Sequence, residues 1–175
     1  MKWITTEHLY QAMKFLFFDQ SSVTLCFAQE ICKAKTPFMA KYLASLWTFE
    51  KFSWQTPLKK IVESYIAQGI TFRKAEWDAV KIDVMYVVVQ QKFYSSSYCW
   101  KLLMDTKDST IEEHSKNDAF WGNGGKIGGG ANHLGKILMK LRDSPRNNEK
   151  DNFEKKIEKQ TVSLYTIYHL FIIQQ

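Results

Sequence analysis

Cysteine is scarce in this 175-residue chain: Cys26, Cys32 and Cys99 are odd in number and show no C-x-x-C spacing. That excludes a disulfide scaffold and a structural zinc site, and it fits a reduced, cytoplasmic setting. Proline is equally sparse, and each one punctuates: Pro37 starts a helix, Pro57 precedes a helical pattern, and Ser144-Pro145 closes one. No apolar run is long enough for a membrane. The longest, over 162–173, is interrupted by Tyr165, Thr166 and His169 and falls short of the ~20 apolar residues that a bilayer requires. The opening MKWITTEHLY has no apolar signal core, which argues against secretion. His8, His114, His133 and His169 are scattered with no H-E-x-x-H. Glu112, His114 and Asp118 form the one grouping that a metal could use, but mixed charged residues of this kind usually face solvent, so neither metal nor cofactor is expected.

What the chain has is apolar and aromatic mass. Hydrophobic residues make up 45% and aromatics 15%, ample for the core of one domain. The net charge of +6 favours anionic partners such as a nucleotide, a nucleic acid or a phosphorylated metabolite, although solvated surface lysines are the plainer reading. Lys33, Lys35, Lys41, Lys59, Lys60, Arg73 and Lys74 are spread along the chain and do not form a reading helix, so non-specific nucleic-acid contact is a second choice.

Periodicity predicts helices through most of the chain. Over 6–18, Leu9, Ala12, Met13 and Leu16 recur at three- and four-residue steps, with Thr5 or Thr6 to cap the first turn. On another face Glu7, Gln11 and Lys14 are spaced i, i+4, i+7 and project together along about 10 Å of axis. Further helices are predicted over 22–31, from Pro37 to residue 46, over 58–66 ahead of Gly69, over 75–94 and over 98–104. The β-branched cluster over 84–89 also permits a strand, and 111–114 reads as a short strand. Trp47, Phe49, Phe52 and Trp54 suit either buried packing or a nucleobase platform. Leu134, Leu138 and Leu141 carry a last core stripe, with Gly135 allowing close packing. Residues 146–175 read as a charged linker and an amphipathic helix following a domain over 1–145.

Between residues 110 and 142 lies the stretch TIEEHSKNDAFWGNGGKIGGGANHLGKILMKLR, holding six of the chain's eight glycines between 122 and 130. Lys126 is followed by Ile127, so this is not a P-loop, and the spacing is not that of a Rossmann turn. A glycine loop feeding a helix start predicts an anion site built from first-turn N–H groups. Asp118 and Trp121 at its entrance are unusual for a flexible linker.

Together these residues resemble the NADAR family, the YbiA-like proteins. The resemblance is carried by Thr6-Glu7-His8 with Tyr10-Gln11-Ala12 and Lys14-Phe15, and by Ala34-Lys35-Thr36-Pro37 with Ala40-Lys41. It continues through Trp77 with Lys81, Asn117-Asp118 with Trp121-Gly122, Asn132 with Leu134-Gly135-Lys136, and Arg142. It implies a mainly α domain with a few short strands, and an N-glycosidase that hydrolyses the C–N bond of ribosides. The implied substrates are riboflavin-pathway intermediates bearing ribose 5-phosphate, or ADP-ribosylated guanine. It also implies Glu7, Lys14 and Asp118 as catalytic residues, with Gln11, Trp121, Gly122, Asn132 and Arg142 on the substrate. Cleavage needs a carboxylate near C1 and a proton source near the departing base, roles that suit Glu7 and Asp118. Lys14 is the candidate nucleophile in a covalent route for which the family supplies the precedent. A binding module that recognises ADP-ribose or a nucleotide without cleaving it is the alternative class.

Overall fold

Thr5 fixes where the first helix begins: its backbone is extended and its hydroxyl accepts the His8 N–H at 3.4 Å, filling one donor that has no intrahelical partner. The computed structural model describes residues 3–45, 57–125 and 128–144. Among them are seven helices and no strand: α1 (Thr6–Leu16), α2 (Ser22–Lys33), α3 (Pro37–Ser45), α4 (Pro57–Ala67), α5 (Lys74–Ser95), α6 (Ser97–Asp105) and α7 (His133–Asp143). The aromatic stretch over 47–54, Lys126, and the tail over 146–175 lie outside the described residues. The chain forms two compact units, one running to Val80 and the other beginning at Lys81.

In the first unit α1 is the hub and packs on α2 and α3. From His8 to Phe17 only Leu9 and Lys14 keep partial exposure, so the helix is enclosed on nearly every side. Phe15 meets Phe27 edge to face at 5.0 Å between centroids, Phe27 meets Tyr65 at 5.0 Å, and Tyr10 meets Trp77 at 5.3 Å. The fully buried His8 ties α1 to the turn before α3: Nε2 donates to the Ala34 carbonyl at 3.0 Å, which leaves Nδ1 to accept from the Thr5 hydroxyl at 2.7 Å in the neutral ring. Ser21 caps α2 through the Thr24 N–H at 3.3 Å. Asp19 accepts the Ser21 N–H at 2.9 Å and the Ser21 hydroxyl at 2.8 Å, and also accepts the Thr24 hydroxyl. These hydrogen bonds, Thr24's first and the Ser21 N–H next, hold the Asp19 carboxyl below its ordinary value.

The second unit is built on the later turns of α5, with α6 and α7. Val84, Met85, Tyr86, Val88 and Val89 are all buried together with Leu103, Ile137 and Leu141. The β-branched run over 84–89 that permitted a strand is helical, part of the 22 residues of α5. Residues 111–114 are likewise not a strand. Their backbone is paired with a side chain instead of a neighbouring strand: Asn132 Nδ2 donates to the Ile111 carbonyl at 2.9 Å, and its Oδ1 accepts the Glu113 N–H at 3.0 Å. Gly135 makes this possible, since a Cβ there would sit 2.1 Å from the Ile111 carbonyl oxygen.

Candidate active site

Glu7, Gln11 and Lys14 sit on α1, and their setting is not that of an ordinary polar face. Gln11 is only 3% exposed, and Glu7 and Lys14 are half-buried. The Gln11 Nε2 donates to Glu7 Oε1 at 2.7 Å, a hydrogen bond to a carboxylate one helical turn away. The Gln11 Oε1 is buried and has no hydrogen-bond partner. The Lys14 ammonium lies 5.9 Å from the centroid of the Phe72 ring. A carboxylate, an amide and an amine therefore share a helix that is otherwise packed with Tyr10, Met13, Phe15 and Leu16.

The second group belongs to the other unit. Asp118 Oδ1 accepts the N–H groups of Phe120 at 3.1 Å and Trp121 at 2.8 Å, so the carboxylate caps the turn that presents both rings. Phe120 and Trp121 are perpendicular with centroids 4.9 Å apart, and His133 stacks against Phe120 at 4.4 Å. Lys81, on α5, places its ammonium 4.0 Å from the centroid of the Phe120 ring. Lys81 and His133 were not expected as site residues. Lys81 had a signal in the sequence as one of the residues that carry the family resemblance, and His133 had none.

Gly122 is enclosed by backbone. A Cβ there would come within 2.8 Å of the Glu113 carbonyl oxygen and 2.9 Å of that of Asp118, so any side chain would push the loop apart. Its N–H donates to the Asp118 carbonyl at 3.0 Å, and its own carbonyl accepts the Asn132 N–H at 3.0 Å. Asn132 adopts a left-handed backbone with φ 49° and spends its amide on Ile111 and Glu113. Both residues therefore shape the loop.

At the start of α7, where an anion site is expected, three N–H groups already have partners. The N–H groups of Asn132, His133 and Leu134 are taken by the carbonyls of Gly122, Phe120 and Trp121 at 3.0, 3.2 and 3.1 Å. A helix start whose donors already have carbonyl partners has little left for a phosphate. Arg142 is also turned into the protein: at 9% exposure, its Nη1 donates to the Thr106 hydroxyl at 3.1 Å and the Ser109 carbonyl at 2.8 Å, and its Nε donates to Asp143 at 3.0 Å. Among the described residues no three His, Cys, Asp or Glu side chains converge as metal ligands, and Glu112 accepts from the Asn123 amide at 2.9 Å.

Residues 1–146 match the NADAR domain, a span that takes in both groups of residues. The chain belongs to the NADAR family. This NADAR chain is 35% identical over 140 residues to the chloroplastic riboflavin biosynthesis protein PYRR of Zea mays, covering 80% of this chain and 19% of that protein. It is 32% identical over 141 residues to the N-glycosidase YbiA of Escherichia coli strain K12, covering 81% and 69% of the two chains. An N-glycosidase of Nostoc punctiforme is 32% identical over 145 residues, covering 83% and 76%. The NMR structure of E. coli YbiA aligns with a TM-score of 0.54 at 30% identity, over 87% of this chain and 70% of that one. The NADAR chain thus spans about a fifth of the maize protein's length and over two thirds of YbiA's. Among the described residues no helix is long and apolar enough to cross a membrane.

Proposed function

We propose that this NADAR protein is a hydrolase of N-glycosyl compounds that cleaves the C–N bond of a phosphorylated riboside, a riboflavin-pathway intermediate, or of ADP-ribosylated guanine. The observation that carries the reading is the Glu7, Gln11 and Lys14 trio on a helix enclosed by apolar side chains. Glu7 in the first turn and Lys14 in the last suit the helix dipole, but a buried amide hydrogen-bonded to that carboxylate is more than the dipole calls for, and partly buried polar groups of this kind are commonly kept for chemistry. The names of the bacterial relatives, N-glycosidases, support the reaction class.

In this reading Glu7 faces the sugar C1 and stabilises the positive charge that develops there, while Asp118 supplies the proton that the departing base takes up. Water contributes the hydroxyl at C1, and its remaining proton restores the Asp118 carboxyl. In the covalent variant the Lys14 amine displaces the base at C1, the C1–N bond breaking as the base leaves protonated. The glycosylamine so formed loses a proton from nitrogen and opens at the bond from C1 to the ring oxygen, which takes up a proton, and water hydrolyses the resulting imine to return the amine and the free sugar. Trp121 stacks on the base. Gly122 and Asn132 fix the loop that carries Trp121, and Arg142 fixes the turn before it. The phosphate of the substrate is left to cations such as Lys136, which is exposed on α7.

The test incubates the full chain separately with a ribosyl-aminopyrimidine phosphate, with ADP-ribosylated guanine DNA and with NAD. Release of ribose phosphate, ADP-ribose or nicotinamide is then measured. Release from one of the first two names the substrate class. Binding with no release from any of the three would replace this reading with that of an ADP-ribose or nucleotide-binding module.

A further inference from the structure

Gln11 has a feature that packing does not account for. Its side chain is almost wholly buried, Nε2 donates to Glu7 Oε1 at 2.7 Å, and Oε1 has no partner. Reversing the amide would set its oxygen against the carboxylate oxygen and orphan the NH2 group, so the orientation is fixed by Glu7. An orphaned buried carbonyl oxygen costs about 1–3 kcal/mol. Methionine would fill the same volume with no polar atom to bury, and the other buried residues of this part of α1, Ala12, Met13 and Phe15, are apolar. What a methionine cannot do is donate a hydrogen bond to Glu7.

We propose that Gln11 is a positioning residue that holds the Glu7 carboxylate in its working rotamer at the expense of fold stability, and that it does not contact the substrate. This rests on the reading of Glu7 as a catalytic residue. Glu7 lies in the first turn of α1 and is only half-buried, so its carboxylate has several rotamers open to it. The Gln11 amide is anchored in the core and selects one of them. A carboxylate fixed in place does not need to be reorganised as charge builds at C1, and the benefit of that falls on kcat.

The experiment compares the unmodified chain with Gln11→Met, Gln11→Leu and Glu7→Gln, recording melting temperature, kcat and KM on whichever compound the release assay identifies. Gln11→Met and Gln11→Leu are expected to melt at or above the temperature of the unmodified chain. Their kcat should fall about tenfold to a hundredfold, the equivalent of one hydrogen bond to a charged group, with KM moving less than about threefold. Unchanged kcat in both variants while Glu7→Gln is inactive overturns the proposal and leaves the glycosidase reading standing. So does a rise in KM at constant kcat, which would make Gln11 a substrate ligand, or a joint fall in melting temperature and kcat, which would make it a packing residue. Full activity in Glu7→Gln overturns the proposal together with the reading of the site.

Discussion

Asp118 accepts the Trp121 N–H through Oδ1 at 2.8 Å, so the residue proposed to supply a proton also fixes the ring proposed to hold the base. The two duties separate by substitution. Asparagine keeps an oxygen in the capping position and loses the acid, whereas alanine loses both. Asp118→Asn is expected to melt near the unmodified chain and to lose most turnover. Asp118→Ala should lose turnover and in addition about 1 kcal/mol of stability, the usual value of a capping side chain. Thermal melts beside single-turnover rates check this, and full turnover in Asp118→Asn would remove Asp118 from the chemistry.

Arg142 gives the opposite kind of prediction. Its guanidinium joins the end of α7 to the turn after α6 through Thr106 and Ser109, and it is nearly buried. Removing it takes the donor from the half-buried Thr106 hydroxyl and from the carbonyl of Ser109, and empties a nearly buried position. Arg142→Ala should therefore cost about 2–3 kcal/mol of stability, and Arg142→Lys should recover only part of it because lysine lacks the Nε–H that donates to Asp143 while Nη1 serves Thr106 and Ser109. Chemical denaturation measures the loss. A variant of undiminished stability whose KM alone rises would return Arg142 to the role of phosphate ligand.

The Asp19 cap should show in the acid limb of stability. Hydrogen bonds from Thr24 and Ser21 lower the carboxyl's folded-state value, so the ionised form is favoured by the native state. The stabilisation is fully present above the ordinary value of 3.8 and is lost as pH falls through the lower folded value. Asp19→Ala should thus be less stable than the unmodified chain at neutral pH, and the gap should close below about pH 4. Melting curves of both chains from pH 7 to pH 2.5 test it. A gap that stays constant or widens toward acid would show that the carboxylate's charge is not what matters.

Much of this was legible from residue spacing, and what was not has a physical reason. The helices announced themselves because an apolar stripe, a hydroxyl cap and a proline at the start are local signals, as at Thr5 and Pro37. Even the β-branched run in α5 kept to the helical pattern set by Trp77 and Val84. The spacing of Glu7, Gln11 and Lys14 was equally plain, but the burial of Gln11 was not, because enclosure of α1 depends on α2 and α3 packing around it. The loop over 106–132 was the least readable. Its decisive bonds run between residues far apart in sequence, Asn132 to Ile111 and Arg142 to Ser109, and no period of 2 or 3.6 encodes them. Of the loop glycines, Gly122 and Gly130 serve close backbone contact, while a Cβ at Gly128 or Gly129 would meet open space.

Lys14 decides between the two routes of hydrolysis. Its amine is half-buried near the Phe72 ring, on the same helix as Glu7, and the covalent route requires it to carry the sugar while the direct route requires only its charge. Lys14→Arg separates the two, since arginine keeps the cation and cannot form an imine. If the covalent route operates, Lys14→Arg and Lys14→Ala should both lose about a hundredfold or more in kcat, within the range of a missing nucleophile or general base. Borohydride added during turnover should also leave a reduced sugar adduct on Lys14, found by peptide mass spectrometry. If Lys14→Arg keeps near-native kcat and no adduct forms, water attacks C1 directly, and Lys14 acts through its charge on the leaving group or the phosphate.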